Sequence, residues 1–258
     1  MAQLALVPPT QAAAPRGLPD EVPVAITCNG SSQAVMMASP HDIEDFAWGF
    51  TWTEGIVSGR AEVEQFDTVD HGANGIEARF WLTSDRAEAL AARRRERVGP
   101  VGCGLCGIES LEEATRPLPR VDAGGAIPAS DIARATDMLR TAQSRSAHCR
   151  GLHAAGFLQP GRGVGTVRED VGRHNALDKV CGAVLRAGKD AAAGAIVLSS
   201  RVSIDLVQKT ATAGCPILVA VSTPTRAAVA AAEAADLTLV ALARGGAFEV
   251  FTHPRRIV

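Results

Sequence analysis

Apolar and polar residues follow different periods in different parts of the chain, and these periods predict its secondary structure. The first half is predicted to contain two hairpins and two helices, at residues 22–37, 40–54, 63–83 and 84–98. Asn29-Gly30 is a favoured two-residue hairpin turn, and Pro40 and Gly55 mark the start and the end of the first helix. The pattern therefore predicts an α+β first half.

The second half is predicted to be more regular. A helix, a hairpin and a second helix precede three apolar strands, at residues 130–142, 153–170, 175–188, 194–199, 216–221 and 237–242. Asn175 is the predicted N-cap of the second helix, Asp178 its third residue, and Gly188 its end. Apolar strands that alternate with helices are typical of a three-layer α/β fold with a mainly parallel sheet.

A segment rich in glycine, alanine and proline, residues 121–130, is the predicted linker between two domains. The boundary is placed near residue 125. We expect a disordered tail over residues 1–20, an α+β domain over 21–125 and an α/β domain over 126–258.

Charge and apolar content narrow the class of protein. The 258 residues are 47% hydrophobic and carry a formal net charge of −2, so no global basic field for nucleic acid is expected. The longest apolar runs are shorter than the ~20 residues of a membrane span. We expect a protein of the cytoplasm that binds neither nucleic acid nor membrane, and any anion site must be local.

The six cysteines do not form the pattern of a disulfide framework. Four stand singly and are expected to be small buried apolar residues: Cys28, Cys149, Cys181 and Cys215. Cys103 and Cys106 form a CxxC pair within residues 99–108, where five glycine or proline residues disfavour a helix. We expect this CxxC segment to be a mobile loop.

The CxxC pair could bind a metal, act as a redox pair or carry sulfur. A structural zinc site needs four ligands, and the sequence offers no second CxxC or HxxxH. A zinc deaminase needs HxE and PCxxC, whereas His174-Asn175-Ala176 lacks the glutamate and residues 199–203 lack the thiols. We therefore expect no permanently bound metal. A thiol-disulfide pair and a persulfide carrier both remain open.

Polar residues follow each of the three apolar strands, at residues 199–203, 222–225 and 243–246. Ligands of open α/β sheets bind at the carboxyl ends of the strands, where helix N-termini favour anions. The candidate binding residues on these segments are Ser200, Arg201, Ser222, Thr223 and Arg244. This set predicts a ligand that carries phosphate.

Charged residues crowd the strand-to-helix turn at residues 167–179. Ion pairs and helix capping account for about half of them. Arg173, His174 and Asn175, in a row after Gly172, are not easily explained in this way and indicate a functional site. His153, in a hairpin strand, is interpreted as structural.

Six stretches of the sequence together resemble the FdhD family. They are AWGFTWTEGIV, GCGLCG, HAAGFL, VREDVGRHNALDKVCG, SSRVSIDLVQKTATAGCPILVAVSTPT and FTHPRRI, in this order between about residues 20 and 256. The long stretch EDVGRHNALDK makes the resemblance specific. Proteins of this family are sulfur carriers that formate dehydrogenase requires for activity. Asp205 stands where the family usually has glutamate.

The resemblance implies a function, partners and a fold. Cys103 would take sulfur from a cysteine desulfurase as a persulfide, assisted by Cys106. The acceptor would be the molybdenum cofactor in its bis(molybdopterin guanine dinucleotide) form, which is then inserted into formate dehydrogenase. The implied cofactor-binding segment comprises Leu242, Ala243, Arg244, Gly245, Gly246 and Ala247. A cytidine-deaminase-like C-terminal domain and a homodimer are also implied.

Two other functions are weighed against this sulfurtransferase hypothesis. A chaperone that only binds the cofactor and formate dehydrogenase would not need its cysteines. A thiol-disulfide oxidoreductase would turn over dithiols without the cofactor.

Overall fold

The computed structural model describes residues 17–96, 118–121, 124–146 and 148–258. Its first part contains, in chain order, β1 (Val22–Cys28), β2 (Ser31–Ala38), α1 (Ile43–Thr53), β3 (Val63–Asp70), β4 (Ile76–Leu82) and α2 (Ser84–Glu96). The strands form one sheet in the order β2-β1-β4-β3, with β1 and β4 parallel. Both predicted hairpins and both predicted helices of this part are confirmed.

Local sequence explains the ends of these elements. Asn29 and Gly30, between β1 and β2, have φ values of 49° and 74°, as a tight hairpin turn requires. Gly55 has a φ of 66° directly after α1, where a left-handed residue ends the helix. Trp48 of α1 then packs edge-on against Phe80 of β4, with ring centroids 5.2 Å apart.

The second part contains α3 (Ala129–Ala142), β5 (His153–Gln159), β6 (Gly163–Asp170), α4 (Arg173–Arg186), β7 (Ala195–Leu198), α5 (Ile204–Thr212), β8 (Ile217–Ala220), α6 (Arg226–Ala234), β9 (Thr238–Arg244) and β10 (Ala247–Val250). Its six strands form a sheet in the order β10-β9-β8-β7-β5-β6. Across all described residues, no helix is long and apolar enough to cross a membrane.

The sheet of the second part is mixed, so the prediction of a mainly parallel sheet is wrong. The three predicted apolar strands, β7, β8 and β9, are parallel. However, β5 is antiparallel to both β6 and β7, and β10 is antiparallel to β9. Short turns join β5 to β6 and β9 to β10, and a short turn can only connect antiparallel strands.

Helices cover both faces of this sheet, as the three-layer prediction requires. Ile132 and Leu139 of α3 pack with the side chains on one face, among them Val197 of β7. Leu177 of α4 and Leu206 of α5 pack on the opposite face. The relation to cytidine deaminases stays a prediction.

The two parts of the chain share a buried contact. α1 crosses α4 so closely that Gly49 and Gly182 each lie against the backbone of the other helix. Leu118 and Val121 pack with the core of the second part, although both precede the predicted boundary near residue 125. The division into two domains stays a prediction.

Candidate functional site

The first two predicted strand ends lie side by side at one edge of the large sheet. Val202, after β7, donates its N–H to Thr223 O at 3.2 Å and accepts from Thr225 N at 2.9 Å. Leu242 of β9 donates its N–H to Ser222 O at 3.4 Å. The backbone therefore joins the three segments that the sequence placed at the carboxyl ends of the strands.

The start of α4 faces the start of α5 at this edge. His174 Nε2 lies 3.4 Å from Ser203 Oγ and 3.7 Å from Asp205 Oδ2. Ser203 occupies the N-cap position of α5, yet its hydroxyl donates to Asp205 Oδ2 at 3.3 Å rather than capping the helix. We call Arg173, His174, Ser203 and Asp205 the His174 site.

Two polar atoms of this site are buried without a protein partner in the described structure. They are Nε of Arg173, a donor, and Oδ1 of Asp205, an acceptor. A shielded polar atom without a hydrogen bond costs about 1–3 kcal/mol. Such atoms are rare in folded proteins, and two of the three found in the described structure, the third being Oδ1 of Asp67, belong to the His174 site. This concentration makes the His174 site a candidate for ligand binding.

Burial keeps the imidazole of His174 neutral. The pKa of His174 is lowered from 6.5 to about 4, chiefly by burial and in smaller part by the positive charges of Arg173 and Lys209. Asp205 and Glu54 act in the opposite direction but do not outweigh burial. At neutral pH the ring therefore offers one N–H donor and one nitrogen acceptor.

A buried ion network lies beneath the site. Lys209 Nζ of α5 lies 3.0 Å from Asp178 Oδ2 of α4 and 2.7 Å from Glu54 Oε1. Thr53 donates its hydroxyl to Asp178 Oδ1 at 2.7 Å. Burial raises the pKa of Asp178, and Lys209 and Thr53 oppose this. Burial lowers the pKa of Lys209, but Asp178 and Glu54 raise it and give a net upward shift. The network fixes α1, α4 and α5 relative to one another.

Most other charges of residues 167–179 form structural contacts. Arg168 pairs with Asp45 at 2.7 Å, and Lys179 pairs with Asp170 at 2.6 Å with both side chains fully buried. Glu169 accepts the N–H of Arg145 at 2.8 Å. Of this stretch, His174 contacts the start of α5 and Arg173 directly precedes it in α4. The functional interpretation of these two residues stays a prediction.

The sequence prediction that Asn175 is the N-cap of its helix is wrong. Gly172 occupies that position, and α4 begins at Arg173. The Asn175 amide instead donates to Met37 O at 2.8 Å and to Asp170 Oδ1 at 2.9 Å. Tertiary contacts to β2 and β6 therefore decide its position, and its predicted role toward the cofactor remains untested.

Ser200 and Arg201, from the first strand end, differ in exposure. Ser200 is buried, and its hydroxyl donates to the backbone oxygen of Arg201 at 2.9 Å. Arg201 is exposed beside it. At the second strand end Ser222 is half-buried and Thr223 is exposed.

The third strand end is a hairpin turn and not a loop that leads into a helix. Gly245 and Gly246 have φ values of 59° and 82°, and they join Arg244 of β9 to Ala247 of β10. Arg244, both glycines and Ala247 are exposed, whereas Ala243 is buried and accepts from Thr136 Oγ1 at 2.7 Å.

Leu242, in the same segment, has a left-handed backbone with a φ of 54°. This conformation costs free energy for a branched side chain, and such strain clusters at functional sites. The sequence did not predict β10, although Gly-Gly followed by Ala-Phe-Glu-Val is a hairpin signal.

Cys103 and Cys106 lie outside the described residues. Three other cysteines are buried as predicted: Cys28, Cys181 and Cys215. Burial raises the pKa of all three thiols, which makes them poor nucleophiles. Cys149 is the exception, because it is only half-buried and lines a cavity of about 200 Å³.

Metal-binding residues do not cluster in the parts that the structure describes. No three His, Cys, Asp or Glu side chains there come close enough together to hold a metal ion. The sequence prediction of no permanently bound metal is not tested by this, because Cys103 and Cys106 are outside those parts.

Sequence reasoning missed Ser203, Asp205, Lys209 and Glu54. Ser203 lies in the predicted strand end at residues 199–203 but was not among the candidate binding residues, and the sequence assigned no role at the site to Asp205, Lys209 or Glu54. The only local signal was the sequence SID directly after a predicted strand end. The contacts of Lys209 with α1 span 155 or more residues along the chain, so no local pattern reveals them.

Known proteins are similar to this chain over nearly its whole length. The sequence model of the FdhD/NarQ family matches residues 19–258. Sulfur carrier protein FdhD of Agrobacterium fabrum is 49% identical over 259 residues, which cover 100% of this chain and 95% of that protein. The protein of the same name from Cupriavidus necator is 43% identical and is covered to 84%, over 94% of this chain.

One solved structure shows the same fold. It is a crystal structure of a protein from Desulfotalea psychrophila that is provisionally assigned as a formate dehydrogenase accessory protein. Its TM-score is 0.73 at 24% identity, over 93% of this chain and 90% of that chain.

Proposed function

The chain belongs to the FdhD/NarQ family, and on this premise we propose that it is a sulfur carrier that formate dehydrogenase requires for activity. The observation that carries the proposal is the near-complete match to proteins named sulfur carrier protein FdhD, at 41–49% identity. A carrier needs a nucleophilic thiol for the sulfur and a site for the acceptor. The chain offers candidates for both.

The proposed sulfur-carrying residue is Cys103. Its thiolate attacks the outer sulfur of a persulfide on a cysteine desulfurase. A new S–S bond forms on Cys103 as the old one breaks, and the desulfurase cysteine leaves as a thiolate. The exchange needs no external oxidant, since one persulfide replaces another.

Cys106 has two chemically balanced roles in this proposal. It can accept the outer sulfur from Cys103 and act as a second carrier. Alternatively, its thiolate can attack the Cys103 sulfur, so that the outer sulfur leaves as sulfide and a Cys103–Cys106 disulfide remains. A cellular thiol would then reduce that disulfide before the next cycle.

The proposed acceptor is the bis(molybdopterin guanine dinucleotide) form of the molybdenum cofactor, which is the substrate of the transfer. Its two pyrophosphates require cationic groups and backbone N–H donors. Arg173, Arg201 and Arg244 lie on segments at the carboxyl edge of the large sheet, and α5 and α6 begin there. This donor set fits a dinucleotide despite the net charge of −2.

The partners of the proposed cycle follow from the same family resemblance. They are a cysteine desulfurase, formate dehydrogenase and a second copy of this chain in a homodimer. We place the cycle in the cytoplasm, where reduced thiols persist. Light scattering at several concentrations would test the homodimer, because a single monomer mass throughout would contradict it.

Intact-mass spectrometry after incubation with a cysteine desulfurase and cysteine tests sulfur loading. We expect a mass step of one sulfur atom in the wild-type protein and in the Cys149→Ala variant. Cys149 is a suitable control because it is the most accessible cysteine in the described structure. Cys103→Ala should load no sulfur.

Formate dehydrogenase activity in cells separates the three candidate functions. A carrier loses activity with Cys103→Ala, whereas a chaperone that only binds the cofactor keeps it. A thiol-disulfide oxidoreductase would reduce or oxidise model dithiols without any cofactor. Full activity of Cys103→Ala in cells would overturn the carrier proposal.

A further inference from the structure

Asp205 has more capacity to accept hydrogen bonds than the protein uses. Its Oδ2 accepts from Ser203 Oγ at 3.3 Å, while Oδ1 has no protein partner among the described residues. An ionised carboxylate has about four acceptor positions on its two oxygens. In this fold Asp205 is therefore left with free acceptor positions at the carboxyl edge of the sheet.

The side chain can offer both oxygens to a ligand. It is 28% exposed, so it is reached from solvent at the same edge. Oδ1 itself is buried, but the terminal torsion of aspartate is broad and nearly two-fold, so a half-turn of the carboxylate exchanges the positions of the two oxygens. A carboxylate that presents two oxygens binds best to two adjacent N–H donors, as it does with guanidinium.

The neighbours of Asp205 supply the complementary groups. His174 lies 3.7 Å from Asp205 Oδ2 and is neutral at pH 7, so it does not form a full ion pair with the carboxylate. Arg173 carries the second unpartnered buried atom, a donor. Arg173 directly precedes His174 at the start of α4, the helix start that faces Ser203 and Asp205.

This pattern of one donor and two acceptors selects a particular ring edge. A 2-amino-4-oxopyrimidine edge presents one carbonyl acceptor and two adjacent N–H donors. Guanine and pterin rings share this edge, whereas adenine presents a single amino donor beside a ring acceptor. Hypoxanthine lacks the amino donor, and xanthine replaces it with a carbonyl oxygen.

We propose that Asp205 determines ligand specificity by binding the two N–H donors of a 2-amino-4-oxopyrimidine edge, with Arg173 available to its carbonyl oxygen. This proposal rests on the proposed function, in which the acceptor contains guanine and pterin rings. Asp205 is a binding residue in this proposal and takes no part in the sulfur exchange on Cys103.

Isothermal titration calorimetry of base-variant ligands tests the proposal. The ligands are the diphosphates of guanosine, inosine, xanthosine and adenosine, together with 6-hydroxymethylpterin and the corresponding 2-oxo lumazine. We expect the affinity of the wild-type protein for guanosine diphosphate to be at least about tenfold higher than for the other three nucleotides. The loss of a charge-assisted hydrogen bond has about this effect.

The Asp205→Asn variant provides the decisive comparison, because it is isosteric and replaces one acceptor oxygen with a donor amide. It should bind guanosine diphosphate about tenfold to a hundredfold more weakly and should bind xanthosine diphosphate more tightly than wild type. Asp137→Asn is the matched control, because Asp137 is an exposed residue of α3, and this variant should keep the wild-type preference for guanosine diphosphate. Equal thermal unfolding midpoints would show that both variants fold.

The outcomes separate the two possible rings and the two proposals. If Asp205→Asn reverses the preference for guanosine over xanthosine diphosphate, the site binds guanine. If the variant reverses the preference for the pterin over the lumazine, the site binds pterin. An unchanged preference in Asp205→Asn, with binding retained, overturns this inference alone. Absence of binding of any guanine or pterin ligand to wild type overturns both this inference and the cofactor-binding part of the proposed function, whereas sulfur loading on Cys103 would still be intact.

Discussion

Gly49 of α1 and Gly182 of α4 meet where the two helices cross. A Cβ atom added to Gly49 would lie 1.7 Å from the backbone oxygen of Asp178, and one added to Gly182 would lie 1.8 Å from the backbone oxygen of Asp45. Only glycine permits this approach. The crossing brings the end of α1, with Thr53 and Glu54, beneath the His174 site.

The Gly182→Ala variant should be strongly destabilised. Alanine favours a helix over glycine by about 1 kcal/mol, but here its methyl group would overlap backbone of α1. We expect a net loss of about 1–3 kcal/mol or more in the free energy of unfolding, measured with urea. Gly59→Ala is the control, because its added Cβ meets no atom within 4 Å. Equal stability of the two variants would show that α1 and α4 do not cross this closely.

Loss of Lys179 should be costly because it leaves a buried charge without its partner. Lys179 and Asp170 are both 0% exposed, with Nζ 2.6 Å from Oδ2. We expect Lys179→Met to reduce the free energy of unfolding by about 3–5 kcal/mol. Lys189→Met is the control, because Lys189 is exposed and its side chain contacts Thr166 at the surface; this variant should change the free energy of unfolding by less than about 0.5 kcal/mol. A wild-type-like urea midpoint for Lys179→Met would contradict the buried pair.

Acidification should destabilise the protein through His174. Its pKa is about 4 in the folded state against an ordinary value of 6.5, so the unfolded chain binds the proton first as pH falls. The contribution is fully present above about pH 6.5 and is lost as pH falls toward about 4. Since 35% of the side chain is exposed, screening reduces the effect to about 1–2 kcal/mol.

The comparison of wild type with His174→Gln isolates this effect from the titration of other groups. Unfolding free energies are measured with urea at pH 7.5 and at pH 4.5, and the difference between the two proteins is taken at each pH. We expect wild type to lose more stability than the variant on acidification. Parallel losses would exclude a buried neutral His174.

Arg244 should contribute to the binding of the anionic ligand. Its side chain is exposed at the hairpin turn of β9 and β10, beside the left-handed Leu242. We expect Arg244→Ala to weaken the affinity for guanosine diphosphate, measured by calorimetry, by about tenfold to a hundredfold, because the variant removes a charge-assisted hydrogen bond. Arg162→Ala, in the exposed turn between β5 and β6 at the opposite edge of the sheet, should bind as wild type does. Equal affinity of the two variants would remove Arg244 from the site.

Much of the secondary structure could be predicted from the sequence, because the signals are local. Asn29-Gly30, Gly55 and Gly188 each adopt positive φ where the sequence placed a turn or a helix end. Backbone sterics act within a few residues, so glycine and asparagine mark such positions wherever they occur. The three central strands were found for a similar reason, since burial on both faces requires a continuous apolar run.

The tertiary structure alone decided which charged residues serve the fold and which face the site. Within residues 167–179, Asp170 and Asp178 look equivalent to Arg173 and His174 in sequence. Asp170 pairs with Lys179 inside the same stretch, but Asp178 pairs with Lys209, which lies 31 residues away. A charge can be buried only with a partner, and packing across distant elements selects that partner. His174 was therefore predictable as unusual, whereas its neighbours Ser203 and Asp205 became visible only when α4 and α5 were brought together.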